Sequence, residues 1–209
     1  MLMLNPNYNK HSDVNKLISF ITALRVVSVR QGIEYLYSLG LDQERTNNVL
    51  SILIKSGKAR YSSNGEFICT NSAFLNDASK YFCDSNKIGW LYIALAKNFN
   101  SVNIDCKYPC KAFFHNAETK NTLHIFEIRN NFLDEDCIHI DTNFSTANAM
   151  NSPINSLILI EKEEDIDRIF LSKAINILTF ATVKTDESGN VDVRFYDKNK
   201  EELQVSCSG

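Results

Sequence analysis

The sequence predicts an α+β protein in which a helical module with a β-hairpin precedes a mixed α/β sheet domain. Apolar residues recur at helical spacing through most of residues 14–54. Two short strand-forming runs follow, joined by a polar turn at residues 62–65. Beyond residue 85, one helical segment leads into apolar runs typical of strands. We therefore divide the chain into a module at residues 1–70, a helical connector at 71–84 and a sheet domain at 85–209.

The composition is that of a folded protein and excludes several classes. Of the 209 residues, 44% are hydrophobic, and no run approaches the roughly 20 apolar residues that span a bilayer. The N-terminal residues 1–13 contain no long apolar run and no small-residue cleavage site. We therefore expect a cytoplasmic protein with no membrane partner, in which the six cysteines are reduced thiols.

Charge is distributed unevenly along the chain, whose net charge is −3. Residues 1–70 carry eight Lys or Arg and five Asp or Glu, whereas residues 71–209 carry fourteen and twenty. The first part is therefore mildly basic and the second acidic. This distribution permits nucleic-acid binding by the first part and gives no support for it in the second.

Capping residues and apolar stripes predict three helices in the first module. The first helix follows Ser12, and Ser28 with Gln31 fits a capping box that opens the second. Gly40 suits the end of the second helix, and Asp42 can cap the third. The residues predicted to be buried are Leu17, Ile18, Ile21 and Leu24 of the first helix and Val49, Leu50, Leu53 and Ile54 of the third.

Two helices joined by a short turn with glycine, followed by a hairpin, resemble the winged-helix family. The matching residues, within a resemblance that covers residues 13–70, are Leu50, Leu53, Gly57, Ala59, Arg60, Gly65, Phe67 and Thr70. The resemblance implies that the third helix enters the major groove of double-stranded DNA and that the hairpin lies near phosphates. The residues assigned to base edges are Gln43, Arg45, Asn47, Asn48 and Ser51, and those assigned to phosphates are Lys55, Lys58 and Arg60. Asp42 and Glu44 oppose DNA binding by their charge.

The second module combines helical and strand patterns. A helix is predicted over residues 87–99 and an acidic surface helix over 161–171. The predicted strands cover residues 102–108, 111–115, 122–128, 137–141, 156–160, 177–183 and 191–196. This order loosely resembles the restriction-endonuclease-like fold. The layout of the whole chain also resembles plasmid replication-relaxation proteins, which join a winged helix to such a domain.

A nuclease of the restriction-endonuclease-like class holds Mg²⁺ with two carboxylates and uses a lysine on the same strand face. Asp105 and Glu127 occupy the places of the carboxylates. Arg129 stands where lysine is needed, and an arginine cannot be deprotonated to act as a base. We therefore expect no catalytic residues and no cofactor, and the three residues would form either a vestigial site or a strand-end ion pair.

Three short patterns bear on metal binding, and none has the paired C-x2-C spacing of zinc sites. They are Cys106 with Cys110, His115 with His124, and Cys137 with His139 and Asp141, the last three sharing one face of a predicted strand. Buried thiols and ordinary surface histidines explain them, so we expect no metal site.

The sequence favours a non-catalytic protein that binds double-stranded DNA. A role in plasmid or mobile-element maintenance, or in transcription regulation, follows from the resemblance alone. One alternative is a protein-interaction module that uses the winged helix for homodimer or partner contacts. A second alternative is a divergent metal-dependent nuclease.

Overall fold

The computed structural model of the protein describes residues 6–106, 108–148 and 154–204. It contains helices and a seven-stranded mixed sheet, so the α+β class is confirmed. The chain divides into two compact units, Met1–Val102 and Asn103–Gly209. This boundary lies later in the chain than the predicted division at residues 70–85.

The first unit is built on three helices. They are α1 (Pro6–Leu24), α2 (Val29–Ser38) and α3 (Gln43–Lys55). Helix α1 begins before the predicted Ser12 and buries Leu17, Ile21 and Leu24 as predicted, with Ile18 only partly buried. In α3, Val49, Leu50 and Leu53 are buried.

The predicted caps of these helices are present. The Ser28 hydroxyl accepts a hydrogen bond from the Gln31 N–H at 3.0 Å, and the Gln31 side chain reaches back to the Ser28 N–H, completing the capping box. Gly40 adopts φ 84° after α2, a left-handed conformation that favours glycine. The Asp42 carboxylate accepts from the Arg45 N–H at 2.8 Å and caps α3.

The segment predicted as a hairpin forms two strands of a three-stranded antiparallel sheet. Strands β2 (Arg60–Tyr61) and β3 (Phe67–Cys69) pair around the turn, and β1 (Val27–Ser28) adds to the other side of β3. The predicted turn at residues 62–65 is confirmed, because the Gly65 N–H donates to the Ser62 carbonyl oxygen at 2.9 Å. Gly65 has φ 72°, and the Asn64 side chain fixes the turn by accepting from the Ser62 hydroxyl.

Helix α4 (Ala78–Leu95) belongs to the first unit and explains the shifted boundary. The helix begins inside the predicted connector and earlier than residue 85. Its Tyr92 ring stacks with Phe20 of α1 and Tyr35 of α2, at centroid distances of 5.8 and 6.1 Å. The connector also holds a 3₁₀ turn, Ser72–Phe74. Tyr92 of α4 is therefore packed against α1 and α2.

Gly89 of α4 makes a close approach that permits a test of this packing. A Cβ at this position would lie 2.7 Å from Nε2 of Gln31 and 3.2 Å from Leu24. Alanine inside a helix normally stabilises by about 1 kcal/mol relative to glycine. Here the Gln31 side chain is buried and donates to the Asn86 carbonyl oxygen at 3.0 Å, so it cannot move aside without losing this hydrogen bond. We expect Gly89→Ala to destabilise by about 1–2 kcal/mol in urea denaturation.

The Gln31→Ala background is the control for this prediction. With the long side chain removed, adding the Cβ of Ala at position 89 should cost clearly less free energy of unfolding than in the wild type. An equal cost in both backgrounds would show that Gln31 is not the obstacle.

The second unit holds most of the large sheet. Its strands run in the order β10-β9-β8-β7-β6-β5-β4. Strands β6, β7 and β8 pair in parallel, whereas β5/β6, β8/β9 and β9/β10 pair antiparallel. The strands are β4 (Ser101–Asn103), β5 (Cys110–Asn116), β6 (Asn121–Glu127), β7 (Ile154–Leu159), β8 (Ile175–Thr185), β9 (Val191–Tyr196) and β10 (Glu202–Leu203). The two predicted hairpins, β5/β6 and β8/β9, and the buried strand β7 are confirmed.

Residues 137–141, predicted as a strand, lie instead within helix α5 (Leu133–Asn148). The buried residues of its first two turns are Leu133, Asp136, Cys137 and Ile140, which is helical spacing. The strand was predicted from the alternation of residues 137, 139 and 141. Because these residues lie in a helix, the strand prediction is wrong.

Two other predicted elements are also wrong. The predicted strand at 102–108 is reduced to β4, and the peptide bond between Tyr108 and Pro109 is cis. The predicted acidic helix at 161–171 is only a 3₁₀ segment, Glu163–Arg168. None of the helices in residues 6–106, 108–148 and 154–204 combines the length and apolar character of a membrane span.

Candidate functional site

Helix α3 presents one buried side and one polar side. The buried residues of α3 are Thr46, Val49, Leu50 and Leu53. Because successive residues of a helix are turned by about 100°, the side opposite to these four carries a row of residues one or two turns apart. That row, which we call the α3 stripe, comprises Glu44, Asn48, Ser51 and Lys55.

None of the eight residues predicted to contact DNA is buried. Ser51 is partly buried and the other seven are exposed. They do not share one face, however, because Arg45 and Asn47 lie on opposite flanks of the α3 stripe, separated by about 160° around the helix axis. Asn48, Ser51 and Lys55 are therefore the members of the predicted set that one partner surface can meet together.

The chain leaving α3 brings two basic residues to the surface. Lys58 and Arg60 are exposed, while Ala59 between them is buried. Tyr61 is also exposed, at 41%. At the turn, the Glu66 carboxylate accepts a hydrogen bond from the Asn64 amide at 2.6 Å.

The two acidic residues at the start of α3 have different roles. The Asp42 carboxylate accepts the Arg45 N–H and so closes the end of the helix. Glu44 lies in the first turn, on the α3 stripe.

In the second unit, Arg129 and Asp136 form an ion pair with several hydrogen bonds. Nη2 of Arg129 lies 2.7 Å from the Asp136 carboxylate, and Nε and the backbone N–H of Arg129 donate to the other carboxylate oxygen at 3.1 and 2.9 Å. The Tyr108 hydroxyl donates to the same carboxylate at 2.9 Å. The Arg129 guanidinium also lies over the Phe132 ring, 4.4 Å from its centroid.

Asp136 is buried, and its hydrogen bonds set its protonation. Burial by itself would raise the pKa of this carboxyl, but the hydrogen bonds from Arg129 and Tyr108 outweigh it and hold the pKa below the ordinary value. The side-chain hydrogen bond to Asp136 raises the pKa of Arg129. Asp136 is therefore an ionised carboxylate whose acceptor capacity is used by the protein itself.

Glu127 is held in an ion pair, and the backbone of Asp105 is held by a hydrogen bond. Glu127 pairs with Lys111 of the neighbouring strand at 3.1 Å. Asp105 follows β4, and its N–H donates to the Asn103 side chain at 2.8 Å. Glu127 and Arg129 are thus each held in an ion pair, but with other partners and not with each other. The partners in these pairs are Asp136 and Lys111, which the sequence did not indicate.

The Cys106 and Cys110 thiols, the first pattern considered for metal binding, lie within hydrogen-bond reach of each other. Cys137 is buried and His139 exposed on α5, because residues two apart do not share a helix face. Burial lowers the pKa of His124, which packs edge-on to Phe113 at 4.7 Å. Hydrogen bonding ties His115 to Thr122 at 3.0 Å. Within the described parts of the chain, no group of three or more His, Cys, Asp or Glu side chains is placed to hold a metal ion.

Comparisons with protein families, with curated proteins and with solved structures find no match to this chain.

Proposed function

We propose that the first unit is a winged helix that binds double-stranded DNA. The observation that carries the proposal is the polar α3 stripe, in which all residues but Ser51 are exposed, followed by the exposed basic residues Lys58 and Arg60. The order of three helices and a hairpin supports the winged-helix assignment. In this arrangement α3 lies in the major groove, whose width of about 12 Å admits a helix. Lys58 and Arg60 then lie against phosphates on the rim of the groove.

A salt titration of binding tests this proposal. Fluorescence anisotropy with a labelled random duplex at two or more salt concentrations gives both the affinity and its salt dependence. We expect binding at low salt that weakens linearly in log–log form, because contacts to phosphates release counterions. No change in anisotropy at low salt would contradict the proposal.

The base-reading role of the α3 stripe can be separated from the charge of the module. Asparagine can bond an adenine edge at two positions, and each such pair discriminates by about 1–3 kcal/mol. We expect Asn48→Ala to weaken binding to a selected preferred site by that amount and to leave binding to random duplex nearly unchanged. Asn47→Ala, on the flank of α3, is the matched control and should have the smaller effect. Equal effects on both duplexes would contradict base reading by Asn48.

The second unit is proposed to be a catalytically silent domain of loosely restriction-endonuclease-like layout. The order of hairpin, helix and parallel strands supports the layout. The ion pairs of Arg129 with Asp136 and of Glu127 with Lys111 support the absence of catalytic activity. A role in plasmid or mobile-element maintenance or in transcription regulation fits a DNA-binding module joined to such a domain. Plasmid cleavage with Mg²⁺ or Mn²⁺ that disappears in Glu127→Ala would contradict it and favour a nuclease.

A second candidate function is a protein contact made by the same surface. Ile52 of α3 and Tyr61 of β2 are both apolar and exposed, at 38% and 41%. Apolar side chains at these places suit a homodimer or partner interface better than a phosphate backbone. Light scattering distinguishes the two candidates. A dimer that is broken by Ile52→Asp, together with no affinity for DNA, would favour the protein contact.

A further inference from the structure

The first unit contains a cavity that the proposed DNA contact does not use. Its volume is about 360 Å³, near the lower end of the range for small-molecule sites. One wall is a single face of α1, which contributes Ser12, Asn15, Lys16 and Ser19. Residues 100–102, which follow α4, also line the cavity.

The floor of the cavity is aromatic and flat. It consists of Phe20, Tyr35 and Tyr92. The Phe20 and Tyr35 rings lie 4.3 Å apart with an interplanar angle of 15°, and the Phe20 and Tyr92 rings are inclined by 18°. The Tyr35 and Tyr92 rings are inclined by 28°, so the three rings form one stack, and aromatic rings of this kind pair favourably with a further aromatic ring.

Tyr35 provides a polar group at the base of the cavity. The residue is only 5% exposed. Burial raises the pKa of Tyr35 to about 12, so the phenol is a neutral donor at physiological pH. The phenol can donate a hydrogen bond to a polar atom of a bound ligand.

Lys16 gives the cavity its charge. Among the residues described as lining the cavity, Lys16 is the single charged side chain, and the others are hydroxyl, amide, aromatic or aliphatic. Lysine recognises a compact anionic group as a point charge, and the Asn15 amide beside it adds a donor. The polar wall therefore selects an anion, and the aromatic floor selects a flat ring.

We propose that this cavity binds a small aromatic carboxylate, with the carboxylate at Lys16 and Asn15 and the ring over Phe20, Tyr35 and Tyr92. The Tyr35 hydroxyl donates to a polar atom of the bound molecule. The cavity is large enough for one or two rings. This site is independent of DNA binding by α3.

Ligand-observed saturation-transfer NMR with three probes tests the proposal. Benzoate carries both recognised features, benzyl alcohol has the ring without the charge, and acetate has the charge without the ring. We expect saturable benzoate binding with a Kd of about 1 mM, as suits a ligand of few atoms. Benzyl alcohol should bind more weakly and acetate should show no saturable binding.

Variants locate the binding. Lys16→Met should weaken benzoate about tenfold, the size expected when a charge-assisted hydrogen bond is lost, and leave benzyl alcohol unchanged. Tyr35→Phe keeps the ring stack and should weaken benzoate by a smaller factor. Lys80→Met, which removes an exposed lysine outside the cavity, is the matched control. Lack of saturation by benzoate, or equal loss in Lys16→Met and Lys80→Met, would overturn the proposal.

Discussion

Replacement of Lys58 and Arg60 together by alanine is expected to weaken binding to every duplex sequence by roughly 50-fold at about 0.1 M salt. Each phosphate contact releases about 0.9 of a counterion, which is worth nearly one decade of affinity at that salt concentration. The slope of log affinity against log salt should therefore become shallower by about two units. Both side chains are exposed and lie beside the end of α3, so their loss leaves the buried core unchanged.

The matched control for this double variant removes the same charge elsewhere. Lys173 and Lys198 are exposed residues of the second unit, and their replacement by alanine also removes two positive charges. This control should keep the wild-type salt slope, because general charge does not fix a phosphate contact. If both double variants lose the same affinity, the effect is one of net charge and the hairpin has no specific role.

Asp136→Asn is expected to destabilise the protein by about 2–3 kcal/mol at pH 7, because it weakens several charge-assisted hydrogen bonds to a buried carboxylate. Asparagine keeps the shape of the side chain, so the loss reports the charge and not a cavity. Urea denaturation gives the free energy of unfolding. Asp84→Asn, an exposed carboxylate on α4, is the control and should change stability by less than about 0.5 kcal/mol.

The Asp136 effect should depend on pH with a defined sign. The folded protein holds the pKa of Asp136 below its ordinary value, which is about 3.9 in an unfolded chain. The stabilisation is therefore complete above the unfolded pKa and is lost as the pH falls through the folded pKa. The difference between wild type and Asp136→Asn should be constant from pH 7 to about 5 and should shrink toward about pH 2. A difference that is equally large at both ends would contradict this account.

The first unit was largely predictable because its signals are local. A capping box needs only Ser28 and Gln31, and the hairpin turn needs only residues 62–65. The position of α4 was not predictable in the same way. Its apolar face fits either neighbouring domain, and only the tertiary contacts of Tyr92 and Gly89 show that it packs on α1 and α2.

The second unit was harder because its decisive contacts are distant in sequence. Tyr108 and Arg129 both donate hydrogen bonds to the Asp136 carboxylate, although Tyr108 and Asp136 are 28 residues apart. The strand predicted at 137–141 failed because a five-residue alternation is too short to exclude a helix. Asp136 lies at helical spacing between Leu133 and Ile140, and this spacing was a signal for a buried, paired carboxylate. The strand prediction, which considered only every second residue, missed that signal.

The candidate DNA surface was predictable in its residue types and less so in its geometry. The sequence indicated which side chains are polar on α3, but a linear pattern does not separate the α3 stripe from its flanks. With the helix bounds fixed, Arg45 and Asn47 lie on opposite flanks and Asn48 lies between them.

Amide NMR of the whole 23.8 kDa protein, titrated with a random duplex at low salt, tests DNA binding by the first unit. We expect the largest shift changes within α3 and on residues 58–66, with Asn48, Lys58 and Arg60 among them. Changes confined to the second unit, or no changes at all while the protein stays folded, would contradict DNA binding by the first unit.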